Sequence, residues 1–226
     1  MVIVKVNGYK IKPYAHLFDA NLAGAYLAGA NLEGAFLGGA NLVGANFEGA
    51  NLTQAQLESV NLAGANLTNA NLSQATFAVL PPHPPSNLEG ANLTGAHLTA
   101  ANLTGANLTN ANLTGANLTN ANLSRANLTS ADLEGTNLLT ANLLTASLEG
   151  AKADADTRWP KSFDPVAAGV ISKNVAGFAP AGSAPEPLPV EAQVSVADEL
   201  GKLADLRDRG VLSEEEFEKQ KMKLLE

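Results

Sequence analysis

The stretch Ala106-Asn107-Leu108-Thr109-Asn110-Ala111-Asn112-Leu113-Thr114-Gly115-Ala116-Asn117-Leu118-Thr119-Asn120 decides the fold. It repeats itself every five residues. Working outward, the same order of Ala, Asn, Leu, a free position and often Gly runs from Ala15 to Phe77. It resumes at Leu88 and continues to Leu148. The central apolar position occurs 13 times in each block; of these 26, 24 are Leu and two are Phe (Phe47, Phe77). Two residues earlier stands Ala, except at Val60, Ser86 and Thr136.

A period of five suits neither regular element. On an α-helix each step of five advances about 140°, so the leucines would spiral over every face. On a straight strand five is odd, and successive leucines would point to opposite sides. A chain that turns a corner every five residues removes the conflict. Ala and Leu, two apart, share one face of a short extended side, and the next corner brings the next pair inward again. Four sides close a coil of about 20 residues, and stacked coils bury a continuous Ala/Leu interior at a spacing of about 4.8 Å. Gly two residues after Leu supplies the backbone freedom a corner needs. The pattern predicts an all-β solenoid.

These residues resemble the pentapeptide-repeat family, whose motif is written A(D/N)LxX. The resemblance covers residues 15–151 and implies a right-handed quadrilateral β-helix. Its two blocks of 13 repeats, 15–77 and 88–151, amount to about six and a half coils, roughly 31 Å tall. Residues 1–14, with Val2-Ile3-Val4-Lys5-Val6 before Asn7-Gly8, read as a strand or hairpin capping the first coil. Residues 152–172 read as the opposite cap. There Thr157-Arg158-Trp159-Pro160-Lys161-Ser162-Phe163-Asp164-Pro165 resembles a segment that closes bacterial pentapeptide-repeat domains, with Trp159 and Phe163 as a hydrophobic lid. Such covers keep open strand edges from pairing with other chains.

Residues 78–87 interrupt the period. The gap from Phe77 to Leu88 is 11 residues, one more than two repeats, and holds four prolines. Proline donates no ladder hydrogen bond, so this piece is expected to leave the wall as a stiff surface loop. Leu80, Pro81, Pro82, His83, Pro84 and Pro85 are therefore candidate partner-binding residues. Residues 173–195 have the composition of a flexible linker. In 196–226 the apolar residues return at helical intervals, with Leu200, Leu203 and Leu206 before Gly210 and Phe217, Leu224 and Leu225 after it. Glu216 stands three residues after Ser213, as in a capping box. This segment resembles the short C-terminal domain known as SHOCT. The likeness implies a two-helix hairpin used for oligomerisation or partner binding, and some 31 residues sustain little core alone.

Composition excludes much. The chain of 226 residues carries 22 acidic and 14 basic side chains, a formal charge of −8, which argues against direct nucleic-acid binding. It has no cysteine, hence no disulfide, thiolate metal site or thiol nucleophile. No run of about 18 apolar residues is present, so no membrane insertion is expected. The first ten residues, MVIVKVNGYK, are too short an apolar run for a secretory signal, and a cytoplasmic, bacterial location is expected. No Gly-x-x-x-x-Gly is followed by Lys-Ser or Lys-Thr, and His16, His83 and His97 form no metal-spaced pair, so no catalytic, cofactor or metal residue is assigned.

What remains is a non-catalytic scaffold for a protein partner of unknown identity, with self-association through 196–226. On the solenoid, Leu139 and Leu144 in the outward position after the central Leu are candidate contacts, and they fall on adjacent walls. Tyr26 and Phe36, in the outward Asn position, fall on opposite walls. An alternative is a DNA mimic of the quinolone-resistance type acting on gyrase. Mimicry needs dense acid, whereas Asp19, Glu33, Glu48 and Glu58 are not expected to stack on one wall. A remoter alternative is an ice-binding Thr/Asn surface.

Overall fold

The computed structural model describes residues 4–78 and 83–172. β1 (Val4–Val6) and β2 (Tyr9–Ile11) pair antiparallel. The two residues between them, Asn7 and Gly8, both have positive φ (50° and 85°), as a tight hairpin requires. The Tyr9 hydroxyl accepts from the Asn21 N–H at 3.3 Å, which holds the hairpin to the first coil.

From His16 onward the chain winds into four parallel ladders. The first wall stacks His16, Phe36, Gln56, Thr76, Asn102, Asn122 and Asn142; the second, Asn21, Asn41, Asn61, Asn87, Asn107, Asn127 and Ser147. The third runs from Tyr26 through Asn46, Asn66, Asn92 and Asn112 to Asp132 and Lys152, and the fourth from Asn31 to Arg158. Every central Leu or Phe from Leu17 to Leu148 is buried. So is every residue two before it, apart from the half-buried Ala30 and Ala146. Among the described residues no helix forms.

One repeat accounts for all five of its amides. Ala65 N–H donates to Leu62 C=O across the corner (3.0 Å), and Asn66 N–H to Ala45 C=O in the preceding coil (2.9 Å). Leu67 N–H and Asn69 N–H donate forward, to Asn92 C=O (2.7 Å) and Thr94 C=O (2.9 Å). The fifth, Thr68 N–H, has no carbonyl in that network and is taken by the side-chain Oδ1 of Asn66 at 3.1 Å. This explains the Asn of the motif, because an unpaired amide in the wall carries a desolvation cost. The Asn side chains also join coil to coil, as Asn66 Nδ2 donates to Asn46 Oδ1 (3.2 Å).

The corner places its third residue at positive φ. Glycine does this at Gly105 and Gly115 (69° and 66°), whereas Ala100 (56°) and Thr145 (56°) hold the same left-handed conformation against their Cβ atoms. Thr140 occupies the equivalent position without a positive φ, and its hydroxyl takes the Asn120 N–H at 3.0 Å in place of a carbonyl.

The interruption costs no wall. Asn87 pairs with Asn61, a separation of 26 residues where regular neighbours are 20 apart, so six residues are inserted into one step. The gap is thus one repeat plus six, not two plus one, and the two blocks make one ladder. Ser86 then fills the Ala position, fully buried, with its Oγ 2.7 Å from Phe77 C=O and 2.8 Å from Leu57 C=O. The hydroxyl replaces the corner bond that an Ala N–H makes elsewhere. At the far end the ladder passes 151: Lys152 and Arg158 take Asn positions, and buried Ala153 a Leu position. β3 (Lys152–Ala153) pairs parallel with β4 (Ile171–Ser172). Residues 152–172 therefore prolong the coil as well as covering it. The linker 173–195 and the segment 196–226 lie outside the described residues.

Two stability outcomes follow. Ala106 is fully buried, so Ala106→Leu overpacks the interior and costs about 1–3 kcal/mol; an unshifted melting temperature would contradict the inward assignment. At the corners, Ala100→Gly raises and Gly115→Ala lowers the unfolding free energy by about 1 kcal/mol each, read as a shift of the chemical-denaturation midpoint. Equal midpoints for all three chains would contradict the role given to left-handed corners.

Candidate functional site

Most of the wall is chemically closed. Thr68, Thr109 and Thr119 donate their hydroxyls to the Asn two residues earlier at 2.6 Å, and those same Asn oxygens take backbone amides. The Asn oxygens and the Thr hydroxyl protons of these repeats are thereby already engaged. Among the described residues no group of His, Cys, Asp and Glu is placed to hold a metal ion, and no helix is long and apolar enough to cross a membrane. His16 and His97 are exposed.

Exposed large apolar residues concentrate at the two ends. Tyr14, Phe18 and Tyr26 belong to the first coil, while Leu139, Leu144, Val166 and Ile171 belong to the last turns; Val43 alone falls between them among the described residues. Leu144 is 68% exposed and borders a groove of about 400 Å³ lined also by Leu143, Thr145, Pro160 and Phe163. Leu139, 44% exposed, does not line it. Trp159 follows Arg158 in the position of a central Leu and is half-buried against the core. Its ring stacks on Phe163 with centroids 5.2 Å apart. Phe36 differs from the expectation of an exposed ring: it is half-buried, stacked on His16 at 4.9 Å and packed by Phe18 at 5.7 Å.

A second site lies on the first wall beside the insert. A cavity of about 710 Å³ is lined by Asp19, Gly39, Glu58, Ser59, Ala78, His83 and Pro84. Ser59 Oγ donates to Pro84 C=O at 2.9 Å and ties the insert to the wall. His83, Pro84 and Pro85 are exposed; Leu80, Pro81 and Pro82 lie outside the described residues, as do Leu200, Leu203, Leu206, Phe217, Leu224 and Leu225. Asp19 and Glu58 were expected not to stack. The closed coil nevertheless brings both to this cavity, because 39 residues fall one short of two turns. The signal available in the sequence was the doublet Gly38-Gly39 between them. Gly39 needs its positive φ (70°), but Gly38 does not have one; a Cβ there would meet the Phe18 ring at 3.3 Å.

Asp154 organises the C-terminal turn. Its Oδ1 accepts from the N–H groups of Gly135 (2.9 Å), Thr157 (3.0 Å) and Asp156 (3.1 Å) and from the Thr157 hydroxyl (2.9 Å). The Gly135 amide foremost, then the Thr157 hydroxyl and the other amides, hold its carboxyl below the ordinary value against a smaller opposing effect of burial.

A family model described as pentapeptide repeats matches residues 20–58, 55–78, 86–125 and 121–154, and one described as a short C-terminal domain matches 198–225. No curated protein matches. Among solved structures, the pentapeptide repeat protein Rfr23 from the cyanobacterium Cyanothece 51142 is 36% identical (TM-score 0.49), over 53% of this chain and 90% of that one. A pentapeptide repeat protein of the Arabidopsis thaliana thylakoid lumen is 31% identical (TM-score 0.39), over 43% and 64%. HetL of Nostoc sp. strain PCC 7120, a pentapeptide repeat protein involved in heterocyst differentiation regulation, is 35% identical (TM-score 0.33), over 61% and 72%.

A group whose carboxyl sits low in the folded state stabilises the fold above its unfolded value, about pH 4, and that stability is lost as the pH falls through the folded value. Asp154→Asn removes this acid-sensitive part. The melting temperature of the unsubstituted protein therefore drops further between about pH 5 and about pH 2.5 than that of the variant. Equal drops would contradict the role of Asp154.

Proposed function

The chain belongs to the pentapeptide-repeat family, its repeats matching more than half of its length, and on that premise we propose that it is a non-catalytic, cytoplasmic scaffold. In this reading the right-handed prism separates two recognition ends. The short C-terminal domain matched at 198–225, for which the sequence pattern implies a two-helix hairpin, mediates self-association or grips a protein partner. The observation that carries the proposal is the distribution of exposed apolar surface: among the described residues, seven of the eight exposed large apolar side chains belong to the first coil or to the last turns. Between them the wall presents Asn and Thr whose polar groups are already engaged. Scattered single apolar residues are ordinary on a surface, but confinement to the ends is not what scatter produces. Tethering the hairpin to the prism raises the effective concentration of both near one target.

A gyrase-directed DNA mimic is the weaker alternative, since Asn and Thr fill the positions where mimicry needs carboxylates. An ice-binding face is weaker still, because the Thr hydroxyls that an ordered array of water must meet donate inward to Asn.

Removal of residues 196–226 is expected to lower the molar mass measured by light scattering while the β signal in circular dichroism persists. An unchanged mass would contradict self-association through that segment. For the prism, Leu144→Asp is expected to abolish retention of whatever protein the chain ending at Ser195 captures from its native lysate, and Thr109→Lys to leave it intact. Equal retention by both variants would contradict recognition at the C-terminal end.

A further inference from the structure

The first wall breaks the rule that the other three keep. Its first four coils carry His16, Phe36, Gln56 and Thr76 in the Asn position, not one of them Asn or Asp. On the second wall the first six coils all carry Asn, and on the third and fourth the only other departures before the C-terminal turn are Tyr26 and His97. The amides of Gly38, Glu58 and Ala78 consequently lack the side-chain oxygen that takes the equivalent amide of Thr68 or Thr109. The same four coils carry the His16 ring stacked on Phe36, the Phe18 ring tilted against Phe36, the side-chain gap at Gly38, and the insert residue Pro84 tied back by Ser59.

The cavity so formed has a definite chemistry. Asp19 and Glu58 line it, and neither carboxylate has a hydrogen-bond or ion-pair partner among the described residues. Among the described residues no Lys or Arg lines it. Phe18, 55% exposed, lies over Gly38, and Glu58 C=O lies on that glycine's other side. A flat cation fits this combination: a guanidinium stacks on a ring face and forks onto carboxylates, which a compact ammonium does less well. Proline and histidine from the insert wall the other side. We infer that this face binds an arginine-bearing segment of a protein partner, with the guanidinium seated between Phe18 and the two carboxylates. The site shares Phe18 with the exposed apolar residues of the first coil, whereas the reading of the C-terminal end around Leu144 does not depend on it.

The test is a titration of the full chain, labelled with nitrogen-15, by the peptide acetyl-Gly-Arg-Gly-amide, with its citrulline counterpart as the uncharged isostere. The expected result is saturable shifts of the Gly38, Gly39 and Ser59 amides, with binding about tenfold or more weaker for the citrulline peptide. The double variant Asp19→Asn, Glu58→Gln is expected to weaken arginine binding to a similar degree while the remaining amide signals stay in place. Asn tolerates the left-handed conformation of residue 19 (φ 52°), so the corner survives the change. The inference is overturned if those amides do not shift, if citrulline or the double variant binds as well, or if shifts of equal size arise around exposed acids elsewhere, such as Glu89.

Discussion

The ladder between coils is the constraint on which the rest depends. A backbone that turns every five residues has too few residues per side to form ordinary strands, so each peptide group must find its partner one coil away or across one corner. Four of the five amides in a repeat do this through the backbone, and the fifth needs Asn. The motif is thus a solution to hydrogen-bond satisfaction as much as to packing. Leu and Ala fill the interior because their spacing puts both on one face. Gly stands at the corner because the third corner residue must be left-handed, and where it is absent the chain tolerates the strain or, at Thr140, reroutes the bond through a hydroxyl.

The same constraint shapes what the surface offers. Side chains that complete the wall's hydrogen bonds are poor candidates for recognition, since a ligand would have to compete with bonds already made. Under the proposed scaffold role, recognition falls to places where the repeat is broken or ends: the last turns around Leu144 and Phe163, the first coil around Tyr14 and Tyr26, and the first wall beside the insert. Ser86 shows how closely the break is managed, with one hydroxyl standing in for the missing corner amide so that the ladder crosses six extra residues without losing register.

The period, the inward Leu and Ala positions, the N-terminal hairpin and the insertion were all legible in the sequence, because each is a local pattern or a local break in one. The true length of the ladder was not. Lys152, Ala153, Arg158 and Trp159 keep the geometry of the repeat without the Asn and Leu it places at those positions, and one extra residue before Arg158 hides the period. Nor was the cavity legible. Asp19 and Glu58 line one cavity only because the coil closes at four sides, and the absence of Asn from the first four coils of the first wall is visible only after residues are sorted by wall. Phe36 lost its expected exposure for the same reason, since its neighbours His16 and Phe18 stand a full coil away in the chain.

One uninterrupted ladder runs through the insert and joins the two blocks of repeats. Native-state hydrogen exchange read along the chain tests it most directly. In a solenoid whose units are stabilised by their neighbours, protection is greatest in the central coils and falls toward both ends. The amides from Asn61 to Asn112, on either side of the insert, are expected to form one maximum of protection that falls off toward both ends of the ladder. Two separate maxima with a minimum at Phe77 and Leu88 would contradict it, because they would mean two independent blocks joined by a hinge.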